Sequence, residues 1–244
     1  MRNIKLIIEY DGTNYHGWQS QINAVAIQDV VKAAIKRLTG EAVDLTGSSR
    51  TDAGVHAYGQ TANFFTESAI PADKFSRALN SILPEDIVIR ESCEAGRDFH
   101  SRYAAKGKRY RYIVYNSPVP SALMRNRAFY VPQKLNMELM EKAAEHFIGK
   151  HDFSAFRASD SSIATAIRTV TEACLIKREE TIEFNIEGDG FLYNMVRIIS
   201  GTLVEVGMGR VLHSDIPGII ESGDRRRAGR TAPPQGLYLM KVFY

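Results

Sequence analysis

The stretch Gly47-Ser48-Ser49-Arg50-Thr51-Asp52-Ala53-Gly54-Val55-His56-Ala57 constrains this chain more than any other. It sets one carboxylate, Asp52, in a tight loop flanked by Gly and Ser, two residues after a cation. The segment that follows, Tyr58 to Phe65, is β-rich. A short loop between apolar segments holds an acid rigidly and still presents it to a cleft, which suits a nucleophile or a general acid/base. The local chemistry is equally that of an ordinary turn, with Asp bonding backbone amides and Gly taking positive φ.

Composition narrows the class. The chain has 244 residues, 44% hydrophobic and 24% charged, which is the balance of a soluble globular protein with one large domain or two moderate ones. No apolar run approaches the roughly 20 residues that span a bilayer, and the N-terminus leads straight into strand-like sequence rather than a signal peptide. The two cysteines, Cys93 and Cys174, lie far apart without CxxC spacing. That argues for a reducing compartment, the cytoplasm by default, and against a zinc site.

The net charge is only +3, so its distribution matters more than its sum. From Arg97 to Arg127 the cations Arg97, Arg102, Lys106, Lys108, Arg109, Arg111, Arg125 and Arg127 face one acid, Asp98. Tyr103, Tyr110, Tyr112 and Tyr115 interleave with them, and Arg225, Arg226 and Arg227 form a second cluster. Basic clusters with aromatic neighbours suit phosphates and unstacked bases. A solvated charged face has the same composition.

Periodicity gives strands at 4–10, 87–89, 108–116, 165–176, 181–188 and 236–243. Helices are expected from Ile27 to Leu38 before Gly40, over 71–82, from Leu139 to Phe147, and from Phe191 to Val206. Along 108–116, Tyr110, Tyr112 and Val114 fall on one face. Irregular alternation with adjacent strand pairs predicts an α+β fold with mixed or antiparallel sheets, in two halves, 1–105 and 106–244. Dinucleotide, P-loop and GxSxG motifs are missing. His146 and His151 are five apart, wrong for one helical metal-binding face.

The chain resembles the tRNA pseudouridine synthase A family over essentially its whole length. The matching strings are Tyr10 to Gln19, Arg50 to Ala57, Phe99 to Tyr103, Lys108 to Tyr112, Gly190 to Arg197 and Thr231 to Tyr238, in family order. The resemblance implies a pseudouridine synthase-like fold with its active-site cleft between the halves. It implies isomerisation of uridine in the tRNA anticodon stem-loop, at positions 38, 39 and 40, without cofactor or metal, by a homodimer. Asp52 matches the catalytic aspartate. Attack at C1′, addition to the base and removal of the 2′ proton all stay open as its chemical step.

By the same resemblance Arg50 enters the space of the flipped nucleotide or holds its phosphate. Tyr110 stacks on the extracted uracil, with Tyr112 the competing assignment two residues on. Arg197 matches the basic residue that pairs with the aspartate. His56, His100 and Arg102 are further substrate-binding candidates, and Arg225 to Arg227 are candidate RNA contacts. Trp18 and Gln19 either shape the cleft or pack in the core. The family usually has Gly before the motif arginine, where this chain has Ser49. If that position needs positive φ or a close approach of the RNA, Ser costs something in loop geometry or substrate range. A catalytically silent tRNA-binding or folding protein on the same scaffold is the alternative. A metal-dependent nuclease is disfavoured by the lack of a ligand cluster.

Overall fold

The computed structural model describes residues 1–158 and 165–244. In chain order these form β1 (Arg2–Tyr10), α1 (Ile27–Thr39), β2 (Thr46–Gly47), β3 (His56–Thr66), α2 (Phe75–Asn80), β4 (Ile87–Ala95), β5 (Gly107–Asn116), β6 (Phe129–Val131), α3 (Met137–Glu145), β7 (Gly149–Asp152), β8 (Ile167–Arg178), β9 (Thr181–Gly188), α4 (Met195–Gly207), α5 (Ile216–Ser222) and β10 (Leu237–Phe243). The fold is α+β with mixed sheets flanked by helices. The chain divides into two compact units, Met1–Lys106 with Tyr238–Tyr244, and Gly107–Leu237. No helix among the described residues is long and apolar enough to cross a membrane.

In the first unit the strand order is β4-β1-β3-β10, with the short β2 on β3. β1 runs antiparallel to β3 and β4, whereas β10 lies parallel to β3 through Tyr238↔His56 and Leu239↔Ala57. Alternation along β1 buries Ile4, Leu6 and Ile8 completely. In α1, Ile27, Val31, Ala34 and Ile35 recur at helical spacing and are buried. Gly40 closes α1 in the left-handed region at φ 78°, its N–H bonding Lys36 O. The helix expected over 71–82 is shorter: a 3-10 turn at Ala72–Lys74 leads into α2.

In the second unit the order is β5-β9-β8-β7, with β6 parallel to β5. Tyr110, Tyr112 and Val114 are buried along β5, on one face as the alternation predicts. The apolar helix starts at Met195, not Phe191, because Asn194 takes a left-handed conformation (φ 60°) that a helix cannot pass through. The short β6, β7 and α5 were not expected, since segments of a few residues carry too little periodicity to read.

The chain after α5 is strapped along α4. A Cβ on Gly201 would lie 1.8 Å from Arg230 O, and one on Gly229 2.7 Å from the Cα of Thr202. The Gly229 N–H donates to Thr202 Oγ1 (2.9 Å) and the Ala232 N–H to Arg197 O (3.0 Å). Gly to Ala inside a helix ordinarily favours folding by about 1 kcal/mol. Gly201→Ala is expected to reverse that sign, costing about 1–3 kcal/mol through overpacking. Urea denaturation of the purified variant measures it.

Candidate active site

In the first unit, a platform formed by residues 10–19 holds the Asp52 loop. Gly17 has φ +86°, and a Cβ there would lie 2.2 Å from Thr51 O and 3.0 Å from Asp52 C. Only glycine accepts both the angle and the approach. The Trp18 N–H donates to Thr51 O (3.1 Å), the Gly54 N–H to Tyr15 O (3.2 Å) and the Val55 N–H to Asp52 O (3.1 Å). Tyr10 and Thr51 share a buried hydroxyl–hydroxyl bond of 2.7 Å. Gly12 also touches the loop: a Cβ would lie 2.0 Å from Val55 O. The loop backbone is thereby bonded or in contact at Thr51, Asp52, Gly54 and Val55, and Asp52 as a residue is half-buried at its turn.

The platform is itself fixed. The first amides of α1 have no intrahelical acceptors. Those of Ile27 and Gln28 donate to Gly17 O and Trp18 O (both 3.1 Å). The Gln28 side chain accepts from Gln19 Nε2 and donates to Leu45 O. Tyr15 OH donates to Asp86 Oδ1 (2.5 Å), and burial together with that carboxylate raises its pKa. Trp18 is buried, stacks on Tyr10 and packs so close to Gly47 that a Cβ there would lie 2.3 Å from Nε1. Trp18 and Gln19 are thus core and scaffold residues.

The loop's entry is held by Gln60, which accepts from Ser48 Oγ (2.7 Å) and donates to Ser49 O (2.7 Å). Ser49 is not among the described residues with positive φ, so its backbone does not require glycine. Its hydroxyl is buried and lacks a hydrogen-bond partner among the described residues. Arg50 is exposed. His56 is buried: its Nδ1 accepts from the Gly12 N–H (3.0 Å) and lies 3.1 Å from Asp11 Oδ1. One ring nitrogen serves one of these neighbours at a time. Asp11 Oδ1 also accepts from the Thr13 N–H and hydroxyl, so we assign the amide as the partner of Nδ1. His100 and Arg102 lie on a separate turn of the same unit.

In the second unit, Tyr112 is fully buried, its OH donating to Pro233 O (2.7 Å) with Gly236 against the ring. Burial raises its pKa. Tyr112 is therefore a core tether. Tyr110 meets Phe191 edge-on at 5.2 Å. Arg197, on α4, is half-buried and aimed by two bonds, Nε to Ala232 O (2.9 Å) and NH1 to Asn194 Oδ1 (2.7 Å). The left-handed Asn194 that ends the Phe191 segment thus also orients this guanidinium.

The cluster at 225–227 is engaged within the protein. Arg225 bonds Ala228 O, Gly229 O and Thr231 Oγ1, Arg226 chelates Asp224, and Arg227 reaches Gly218 O. Arg226 holds the Asp224 carboxyl down at about 2. Among the described residues, no group of three or more His, Cys, Asp or Glu is placed to hold a metal.

A family model described as tRNA pseudouridine synthase matches residues 6–104 and 143–244. The chain belongs to the tRNA pseudouridine synthase family. It is 63% identical over 244 residues to a tRNA pseudouridine synthase A of Acetivibrio thermocellus, and 55% over 245 residues to one of Ruminiclostridium cellulolyticum, each match covering 100% of both chains. A crystal structure of a Cbf5-Nop10-Gar1 complex is similar at TM-score 0.38 and 11% identity, covering 96% of this chain and 57% of that one, too distant to carry an argument. The family isomerises uridine in tRNA to pseudouridine.

The family resemblance contains Gly12, Gly17 and Tyr15 but assigns them no task; the close approach of two backbones, invisible to local spacing, supplies one. Gly17→Ala is expected to displace the Asp52 loop. Pseudouridine formation should fall at least about tenfold while the midpoint of thermal unfolding moves by a few degrees, a backbone cost of about 1–3 kcal/mol. Rate and melting measurements on the same preparation check it.

Proposed function

We propose that this chain forms pseudouridine at positions 38, 39 and 40 of the tRNA anticodon arm, with Asp52 as the catalytic carboxylate and no cofactor. The observation that carries the reading is the Asp52 turn, clamped by backbone contacts with Asp52 only half-buried, in a chain of this family. A preorganised carboxylate needs no reorganisation when the glycosidic bond breaks. The C1′–N1 bond breaks, the uracil turns, and C1′ rejoins at C5. The C5 proton leaves and N1 regains one, so the product is an isomer of the substrate.

The uridine must first leave its stack, at a cost of a few kcal/mol met by contacts to the rest of the tRNA. Arg50, exposed beside Asp52, takes the flipped nucleotide's place or its phosphate. Tyr110 stacks on the detached uracil. Arg197 supplies the guanidinium of the reaction centre, a donor of charge-assisted hydrogen bonds to a carboxylate. His100 and Arg102 contact the RNA backbone, and His56 supports the loop from beneath. The working form is a homodimer that selects tRNA by shape, in the cytoplasm.

The test uses tRNA transcript carrying tritium at C5 of uridine, with chelator present. Wild-type protein is expected to release tritium from the anticodon arm. Asp52→Asn should release it about 10²–10⁴-fold more slowly while keeping its tRNA affinity. Release by Asp52→Asn at the wild-type rate would remove the carboxylate from the chemistry. Intact binding without release by wild type, across a broad tRNA set, would leave a silent tRNA-binding protein.

A further inference from the structure

The turn at 96–104 displays an exposed column of stacked side chains. The Tyr103 ring is 77% exposed. Its inner face stacks on His100, with centroids 4.3 Å apart and planes at 29°, and the Arg102 guanidinium lies 5.7 Å from its centroid. His100 is locked as a support: its Nδ1 accepts from the amides of Arg102 (3.2 Å) and Tyr103 (3.3 Å), which leaves the ring proton on Nε2.

The turn beneath is pinned, so the ring is presented in one place. Ser101 is fully buried. Its N–H donates to Asn63 Oδ1 (2.9 Å) on β3, its hydroxyl to Thr46 O (2.6 Å) on β2, and its carbonyl accepts from Tyr244 OH (2.8 Å). Asn3 on β1 donates to both Gly96 O and Phe99 O. Thr46 stands directly before Gly47, where the Asp52 loop begins. The column is thus tied to the strand that feeds that loop.

The segment that carries the ring, 96–106, holds three cations, Arg97, Arg102 and Lys106, and one acid, Asp98. Arg2, Arg109, Arg111, Arg226 and Arg230 each lie within ion-pair distance of a carboxylate. Arg97, Arg102 and Lys106 are exposed, and none has a carboxylate partner among the described residues. An exposed aromatic face beside free cations matches a nucleic-acid base with its phosphates, since every base has a π-face and each phosphate a charge.

We propose that Tyr103, backed by His100 and flanked by Arg102, is a stacking platform for an unpaired base of the bound tRNA, distinct from the uridine that reacts. The proposal rests on the tRNA reading above and adds a nucleotide contact to it. Binding of unmodified tRNA transcript to the full chain is measured by filter retention across a salt series. Tyr103→Ala should raise Kd at least about fivefold, the lower end of base stacking on an aromatic ring. Its salt slope should stay that of wild type, because no cation is lost. Tyr103→Phe should bind like wild type, since the ring is kept. Arg102→Ala should shrink the slope by about 0.7–0.9. Equal affinity of Tyr103→Ala and wild type would overturn the proposal. So would a change of oligomeric state on sedimentation with tRNA affinity unaltered, which would assign the ring to a protein contact. A wild-type protein with Tyr103-dependent affinity and no pseudouridine formation would support the platform while ending the catalytic reading.

Discussion

Two backbones meet at Gly17 without a side chain between them, and the Asp52 loop depends on that approach. With φ +86° and Thr51 O where its Cβ would be, Gly17 lets the Trp18 amide reach Thr51 O. The amides that open α1 then close on Gly17 O and Trp18 O. One residue thereby joins a helix start, a buried tryptophan and the Asp52 turn. The loop backbone is held on either side of Asp52. Asp52 is thereby half-buried on a fixed backbone, the arrangement a catalytic acid or nucleophile requires.

The second unit solves a similar problem differently. Arg197 sits in an apolar helix, where an unpartnered guanidinium would be costly. Asn194 and Ala232 O satisfy part of it, and both positions follow from larger features. Asn194 marks the left-handed break before α4, and Ala232 lies on the strap that Gly201 and Gly229 admit against that helix. Arg225, bonded along 228–231, keeps the strap in shape. A basic run that reads as a nucleic-acid surface is here partly the support for the strap whose Ala232 O bonds the Arg197 guanidinium.

Local periodicity made α1, β5 and the β8–β9 pair legible, because each repeats its apolar spacing and ends at a recognisable stop such as Gly40. The same logic could not rank Tyr110 and Tyr112, which share a strand face. Their difference lies 121 residues downstream, at Pro233 O. Asp52 stood out through its flanking string, whereas Gly12 and Gly17 had no visible task until the opposing backbone was in place. Of the two grounds for concern over Ser49, the positive φ is one that the backbone does not adopt. Tyr103 was one tyrosine among several in a basic segment, and only exposure and the His100 stack set it apart.

Amide hydrogen exchange of Trp18 and Gly54 tests the clamped loop most directly. These two N–H groups cross between platform and loop, to Thr51 O and Tyr15 O. If the loop is held as described, both exchange only through global unfolding, with protection equal to that of the central strands β1 and β3. Exchange at rates typical of exposed loops, with those strands still protected, would show that the Asp52 turn opens independently and would contradict the account.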